Sequence, residues 1–330
     1  MTPLRIGTRK SPLALWQAEC VRDLLAGRGE DAELVRITTT GDRIVDRPLA
    51  EVGGKGLFVK ELEEALRDGR ADLAVHSAKD VPFALPEGLG LCAFPQREDP
   101  RDALVAPVAR TWDRLPKGAR VGTSSLRRAV QLLALRPDLV IVPVRGNVQT
   151  RLSRTVPGLS GGVQREPAAG DPQGPLDAVV LALAGLRRLG LEKHVTEVLP
   201  VEVSLPAAGQ GALAIEALEG SRGWTAAVAL DAPEIAAAVR AERALLARLA
   251  GGCTIPLAAY AVRDGRALHL RAALGGPDPR GGVRVLHAEA RGEQPEELGA
   301  QVAAKLLDAG AGPLLEASRA QAGGLPAPRR

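Results

Sequence analysis

Hydrophobic and polar positions alternate along the first 200 residues with periods that predict strands followed by helices. The predicted strands lie at 4–7, 33–39, 73–75, 120–122, 139–144 and 177–183. The predicted helices lie at 13–25, 57–67, 126–135, 148–153 and 186–191. Because strands and helices take turns, and the series restarts near residue 101, we expect two α/β units with largely parallel sheets and a cleft between them.

The pattern changes after residue 233, where a long helix precedes several strands. A helix at 234–249, strands at 257–262, 267–274 and 283–290 and a last helix at 295–309 predict a small α+β domain. The fold class is therefore α/β, with two lobes and a small α+β C-terminal domain. We assign 1–96 and 212–230 to domain 1, 101–205 to domain 2 and 233–330 to domain 3. The segment at about 156–175, rich in Gly and Pro, is predicted to be a mobile surface insertion, and 205–212 is predicted to be a hinge or a crossover.

The composition is that of a globular protein. Of the 330 residues, 45% are hydrophobic and 25% are charged. No apolar run reaches the ~18 residues of a membrane span, and no basic stretch followed by an apolar segment opens the chain. We therefore expect a cytoplasmic protein without a membrane partner. The three cysteines and the scattered histidines match no disulfide framework, CxxC pair or HExxH motif, so we expect no metal.

Positive charge is concentrated in one segment. Seven arginines and one acid, Asp138, lie between Arg120 and Arg154, which predicts an anionic partner. Only 2% of the residues are aromatic, too few for the stacking surfaces that single-stranded nucleic acid requires. We expect a small carboxylate or phosphate ligand and no nucleic acid.

One arrangement recurs four times: a strand ends, small or hydroxyl residues follow, and a cation precedes or opens a helix. It occurs at Thr8-Arg9-Lys10-Ser11, at Gly122-Thr123-Ser124-Ser125 before Leu126-Arg127-Arg128, at Arg145-Gly146-Asn147 before Thr150-Arg151, and at Ala184-Gly185 before Arg187-Arg188. Ligands of open α/β sheets bind beyond the carboxyl ends of strands, where helix N–H groups and arginines favour anions. Each case alone is also compatible with an N-cap and a solvated arginine. Together they predict a cleft for a ligand with many carboxylates.

Three further residues are candidates whose patterns leave alternatives open. Lys55 lies in a Gly-rich loop that lacks the GxxxxGK[ST] spacing of a nucleotide site, and it either contacts an acidic ligand or is passive. Asp80 ends the stretch His76-Ser77-Ala78-Lys79-Asp80, where it either exchanges protons beside a cation or caps a helix. Cys253 follows two glycines in a loop and is either a reactive thiol or a passive one.

Nine stretches, in order from about residue 4 to 262, closely resemble the porphobilinogen deaminase family. They are RIGTRKSPLALWQA, GGKGLFVKELE, AVHSAKDVP, REDPRDA, GTSSLRR, RGNVQTRL, LAGLRRLGL, LPAAGQGA and GGCTIP. The resemblance implies two lobes like those of a periplasmic binding protein, a third domain and a monomer. It also implies that four porphobilinogen molecules are joined, with loss of ammonia, into the linear tetrapyrrole hydroxymethylbilane.

The same resemblance implies roles for individual residues. The dipyrromethane cofactor would be attached through a thioether to Cys253. Asp80 would lie against pyrrole nitrogens, stabilise the azafulvene cation formed when ammonia leaves, and move protons. The residues matching the family's carboxylate-binding set are Arg9, Ser11, Lys79, Thr123, Ser125, Arg127, Arg128, Arg145, Arg151 and Arg188. We add Lys55 and Ser77 to this predicted cofactor- and substrate-binding set.

The segment after Arg154 is longer than the family usually has. Two other functions remain as alternatives. A non-catalytic two-lobed binding protein for a polycarboxylate would need neither Asp80 nor Cys253. A cysteine hydrolase would pair Cys253 with a histidine and form an ordinary acyl-enzyme.

Overall fold

The computed structural model describes residues 2–40, 59–156, 175–249, 255–278 and 280–320. Two predicted site residues, Lys55 and Cys253, lie outside these ranges, as does most of the insertion predicted at 156–175. The part of the helix predicted at 57–67 that is described begins at Lys60.

Regular elements follow one another closely in the described residues. The first lobe contains β1 (Leu4–Arg9), α1 (Pro12–Ala26), β2 (Ala32–Ile37), α2 (Lys60–Arg67), β3 (Leu73–Ser77) and β4 (Leu89–Ala93). The second contains β5 (Asp102–Val105), β6 (Arg120–Gly122), α3 (Leu126–Leu135), β7 (Val140–Val142), α4 (Val148–Leu152), β8 (Ala178–Ala182), α5 (Leu183–Arg188) and β9 (Glu197–Val198). The remainder contains β10 (Leu213–Leu218), α6 (Arg222–Val228), α7 (Pro233–Arg248), β11 (Leu257–Asp264), β12 (Ala267–Pro277), β13 (Val283–Gly292), α8 (Pro295–Asp308) and α9 (Ala311–Ala320).

The two lobes have five-stranded sheets of the same kind. The first has the order β2-β1-β3-β10-β4 and the second the order β7-β6-β8-β5-β9. Helices cover these sheets, and buried Leu, Val, Ile and Ala side chains fill the space between the layers. The predicted fold class, with two α/β lobes and a small α+β domain, is confirmed.

The expectation of largely parallel sheets was wrong. The strand β1 runs parallel to β2 and β3, but β10 runs antiparallel to both β3 and β4. The physical reason is the path of the chain: β10 returns from the second lobe, and Leu213 at its start pairs with Ser77 at the end of β3. The second sheet is mixed in the same way, because β5 is antiparallel to β8 and β9.

Two chain segments, residues 94–101 and 199–212, cross from one lobe to the other and run side by side. Glu98 N donates to the Gly211 carbonyl at 3.0 Å, and Leu213 N donates to the Gln96 carbonyl at 3.1 Å. Gly211 has φ +84°, and a Cβ there would lie 2.3 Å from the Glu98 carbonyl oxygen. Only glycine permits this close approach. Residues 205–212, predicted as a hinge or a crossover, belong to a crossover that is closely paired with the outgoing segment.

The third domain packs α7 and α8 against the antiparallel sheet β11-β12-β13. Its core contains Leu245, Leu270, Leu274 and Val302, each with no exposed surface. The sequence analysis missed α9, because the Gly310-Ala311-Gly312-Pro313 stretch after α8 is typical of a chain end rather than of a new helix. Among the described residues, no helix is both long and apolar enough to span a bilayer.

Candidate active site between the two lobes

A pocket lies between the lobes and is lined by residues of both. Five predicted site residues line it: Ser77, Lys79, Arg128, Arg151 and Arg188. The wall is completed by Leu13, Gln17, Val148, Leu181, Ala182, Ala184, Gly185, Gly211 and Ala212. The structure therefore brings together cations that are up to 109 positions apart in the sequence, from Lys79 to Arg188.

The first lobe presents its strand ends to this pocket. The parallel strands β1 and β3 end at Arg9 and Ser77, on the same edge of the sheet. Ser11 is the N-cap of α1, and its hydroxyl accepts a hydrogen bond from Ala14 N at 3.3 Å. Gln17 Nε2 on α1 donates to Ser77 Oγ at 2.8 Å, which fixes the hydroxyl at the end of β3.

The second lobe contributes helix starts in the same way. Ser125 caps α3, its hydroxyl accepting from Arg128 N at 3.4 Å, and Asn147 caps α4, its amide oxygen accepting from Thr150 N at 2.9 Å. Thr123 is buried, and its hydroxyl accepts from Ser125 N at 3.2 Å. Each of the two hydroxyls accepts one backbone N–H and keeps its own O–H as a donor. Their contact with a ligand stays a prediction.

Lys79 occupies the short 3₁₀ turn Ala78–Asp80 that follows β3. Burial lowers its pKa to about 8; Arg127 and Arg128 act in the same direction, whereas the Asp80 and Asp102 carboxylates oppose it. Its Nζ donates to Gln210 Oε1 at 3.4 Å. A lysine in these surroundings changes charge close to neutral pH.

Arg151 and Arg188 reach the pocket from α4 and α5. Burial lowers the pKa of both guanidinium groups. Arg188 Nη2 donates to the Gly211 carbonyl, and its guanidinium carbon lies 5.5 Å from the centre of the Trp16 ring on α1. The Trp16–Arg188 contact joins the lobes, because α1 belongs to the first lobe and α5 to the second.

Asp80 is exposed at the end of the 3₁₀ turn. Its carboxylate raises the pKa of Arg151 against the lowering effect of burial and Arg128, so it lies within electrostatic range of the cationic wall. Arg243 of α7 holds the chain just after it, donating to the carbonyls of Val81 at 3.1 Å and Pro82 at 2.7 Å. The third domain thus anchors the turn that carries Asp80.

The neighbouring arginines of α3 have different surroundings. Arg128 lines the pocket, and its Nε is buried without a hydrogen-bond partner among the described residues. Arg127 is also buried, but its Nη1 donates to the Leu205 carbonyl at 2.5 Å and its Nη2 lies 2.9 Å from Asp102 Oδ2. Arg127 therefore ties α3 to the return crossover, and its predicted ligand contact stays a prediction.

Arg9 and Arg145 complete the predicted set. Arg9 is half-buried at the end of β1, whereas Arg145 is exposed in the loop between β7 and α4. Neither belongs to the pocket wall described above. Within the described ranges, no group of three His, Cys, Asp or Glu side chains is arranged to hold a metal ion.

Sequence reasoning missed the residues behind the wall. Asp102 and Gln210 lie in the REDPRDA and LPAAGQGA stretches, yet nothing in their spacing marks them as partners of the pocket cations. Arg243 was missed because it lies in a helix of another domain. Such contacts depend on tertiary structure. The one signal in the sequence is an acidic residue next to basic motifs, which would have to be paired if it were buried.

Family models match nearly the whole chain. Residues 4–225 match "Porphobilinogen deaminase, dipyromethane cofactor binding domain", and residues 236–308 match "Porphobilinogen deaminase, C-terminal domain". The chain belongs to the porphobilinogen deaminase family. Membership in this family places the chain among the transferases of tetrapyrrole biosynthesis, which bind porphobilinogen, and its larger part is a dipyrromethane-binding domain.

Solved structures that resemble the chain include two binding proteins. A putative methionine-binding lipoprotein from Bacillus subtilis is 13% identical, with 71% of this chain and 92% of that chain covered and a TM-score of 0.40. A nutrient-binding protein from Burkholderia cenocepacia bound to methionine is 14% identical, with 70% and 93% covered and a TM-score of 0.40.

The pocket fits a dipyrromethane and its carboxylate side chains. Lys79, Arg128, Arg151 and Arg188 supply N–H donors and positive charge, and the partnerless Arg128 Nε has no acceptor in the described protein. Guanidinium and ammonium groups bind carboxylates through charged hydrogen bonds, so the donors of this wall suit the acetate and propionate groups of a dipyrromethane.

Proposed function

We propose that this member of the family joins four porphobilinogen molecules, with release of ammonia, into the linear tetrapyrrole hydroxymethylbilane. The growing chain is carried on a dipyrromethane cofactor bound through a thioether to Cys253. The observation that carries the proposal is the cation-lined pocket between the lobes, with Asp80 beside it.

The cationic side chains bind and orient the substrate. Each porphobilinogen carries an acetate and a propionate, and planar guanidinium groups hold carboxylates through paired N–H donors. Like charges at about 4 Å near a protein surface repel by ~4 kcal/mol, so ligand carboxylates relieve repulsion among Arg128, Arg151 and Lys79. Binding of the substrate therefore neutralises positive charge on the pocket wall.

Asp80 supplies the negative charge that the chemistry needs. Loss of ammonia leaves positive charge on the substrate, and a cleft full of arginines would disfavour it without a nearby carboxylate. Asp80 accepts a hydrogen bond from a pyrrole N–H and moves a proton to or from the reacting atoms. Its exposure at the end of β3 makes the carboxylate accessible to the substrate.

When bound, the dipyrromethane supplies the pyrrole carbon to which the first substrate is joined. The chain's own part would be to hold its carboxylates with arginines of the pocket wall and to provide the Cys253 thiol for attachment. Arg243, near the C-terminal end of α7, fixes the Asp80 turn while the same helix leads towards Cys253. The third domain thereby contacts the Asp80 turn, and its sequence includes Cys253.

Replacing Asp80 by Asn tests the proposal. Because Asn keeps the shape but has no charge and no basic oxygen, turnover of porphobilinogen should fall about 10²–10⁴-fold. The assay is the rate of hydroxymethylbilane formation, with the unfolding midpoint as a check on folding. Asp308→Asn, an exposed aspartate at the end of α8, is the matched control and should keep wild-type turnover. Turnover of Asp80→Asn within a few-fold of this control would refute the role of Asp80.

A two-lobed binding protein is the alternative that the same pocket permits. It would bind porphobilinogen with equal affinity in the wild type and in Asp80→Asn, and neither protein would release ammonia. Ammonia release by the wild type alone separates the two functions.

A further inference from the structure

Asp102 lies behind the cationic pocket, at the start of β5, and has no exposed surface. Its Oδ1 accepts from Arg128 Nη2 at 2.7 Å and from Gln210 Nε2 at 2.8 Å. Its Oδ2 accepts from Ser204 Oγ at 2.7 Å and lies 2.9 Å from Arg127 Nη2. A carboxylate offers about four acceptor positions. All are used within the protein, so Asp102 acts through its neighbours and not by touching a ligand.

Gln210 connects this carboxylate to the first lobe. The Gln210 side chain is 1% exposed, and its Nε2 donates to Asp102 Oδ1 and, at 2.6 Å, to the Pro100 carbonyl. Its Oε1 accepts from Lys79 Nζ at 3.4 Å. The opposite orientation of the amide would set oxygen against two acceptors and NH₂ against an ammonium, so the surroundings fix the orientation.

Arg128 is held at the other end of the same series of contacts. Its Nη1 donates to the Val180 carbonyl at 3.1 Å and its Nη2 to Asp102, which leaves Nε as the nitrogen without a partner among the described residues. Lys79, Gln210, Asp102 and Arg128 thus form one continuous chain of hydrogen bonds that joins the two lobes.

We propose that Asp102 and Gln210 are positioning residues, which fix Lys79 of the first lobe relative to Arg128 of the second. The distance between these two cations then determines which pair of substrate carboxylates the pocket accepts. The inference rests on the proposed function, since it concerns how the substrate is held.

The charges of the neighbouring side chains explain why the Asp102 carboxylate lies at the centre of this group. Lys79, Arg127 and Arg128 bring three positive charges around the single negative charge of Asp102, which leaves +2. Despite burial, the two arginines hold the pKa of Asp102 well below its usual range, so the carboxylate stays ionised. It therefore reduces repulsion within the group while the excess positive charge remains for the anionic ligand.

Gln210→Met tests the inference, because Met keeps the size of the side chain and removes all three contacts. With the holoenzyme, KM for porphobilinogen should rise about 10-fold while kcat changes little, since a polar contact that orients a charged group is lost. Gln131→Met is the matched control. Gln131 is also buried, and it binds the same crossover through Leu205 N at 2.8 Å and the Leu205 carbonyl at 3.2 Å. It contacts neither Asp102 nor Lys79 in the described residues, so its KM should match the wild type.

The second measurement does not depend on turnover. Trinitrobenzenesulfonate reacts with neutral amines, so its rate at Lys79, followed by peptide mass against pH, titrates this lysine. In Gln210→Met the midpoint should fall by about half a unit or more, because the ammonium loses an acceptor. In Gln210→Leu it should fall in the same way, because this side chain also offers Lys79 no acceptor; this variant serves if Gln210→Met does not fold.

A lower Lys79 midpoint in both variants, with a raised KM in Gln210→Met, supports the inference. Equal midpoints in the wild type and both variants, or a KM change no larger than that of Gln131→Met, would overturn it. A wild-type protein that makes no hydroxymethylbilane would instead overturn the proposed function, whereas the Lys79 titration would still report whether the contact exists.

Discussion

The charge of Lys79 should set the pH dependence of substrate binding. Its pKa is lowered from 10.5 to about 8, first by burial and then by Arg127 and Arg128. Lys79 is therefore protonated in about nine-tenths of the protein molecules at pH 7 and in about one-tenth at pH 9. If Lys79 binds a substrate carboxylate, a charged hydrogen bond worth about 1.5–3 kcal/mol is lost as the pH rises.

That energy corresponds to about a 10- to 150-fold weaker interaction once Lys79 is fully neutral. KM for porphobilinogen should thus rise between pH 7 and 9 in the wild type. Lys79→Met should have a raised KM at pH 7 and a flatter profile. Lys60→Met, in which an exposed lysine of α2 is replaced, is the matched control and should follow the wild type.

The dependence of KM on pH is measured by steady-state kinetics of the holoenzyme over about pH 6.5–9.5. Steps of ~0.5 unit resolve a single titration. Any titration of the substrate appears equally in all three proteins, so the ratio of KM values isolates Lys79. A constant ratio of the Lys79→Met KM to the wild-type KM across this pH range would refute the reasoning.

The pH dependence of stability tests the same pKa shift independently. Because folding lowers the pKa of Lys79, the unfolded chain binds more protons than the folded one between about pH 8 and 10.5. The contribution of Lys79 to unliganded stability therefore rises with pH in that window.

Two further variants follow from the same contacts. Arg127→Met should lower the free energy of unfolding in urea by about 1.5–3 kcal/mol, because it removes a buried charged contact with Asp102, whereas Arg136→Met, at a partly exposed pair, should cost less than about 1 kcal/mol. Equal losses would contradict the role of Arg127 as a buried tether. Trp16→Leu should raise KM about 2- to 30-fold, the range for a lost cation–π contact, and should also lower the unfolding midpoint, because the contact is made in the unliganded protein. An unchanged KM would show that the contact with Arg188 does not orient that guanidinium.

The sequence predicted the local elements well because their signals are local. The helix over 126–135 matches α3 (Leu126–Leu135), where Ser125 provides the cap and apolar residues recur on one face. The direction of β10 was not predictable from its own residues, because its antiparallel pairing follows from the return of the chain from another lobe. The mixed sheets therefore corrected the expectation of parallel ones.

The candidate site divides in a similar way. Strand-end motifs identified Ser77, Lys79 and Arg128, which do meet in one pocket. They did not distinguish Arg127 from Arg128, since adjacent positions on a helix face different partners only after folding. Asp102 was overlooked because its importance lies in four tertiary hydrogen-bond partners and not in its neighbours along the chain.

The central claim is that the chain carries a dipyrromethane on Cys253 and extends it with porphobilinogen. The most direct test is the intact mass of the purified protein, followed by peptide mapping around Cys253, before and after incubation with porphobilinogen. The account predicts excess mass equal to two porphobilinogen units less their ammonia, located on Cys253 and absent from Cys253→Ser. A protein that remains unmodified after incubation, or an adduct on another residue, would contradict it.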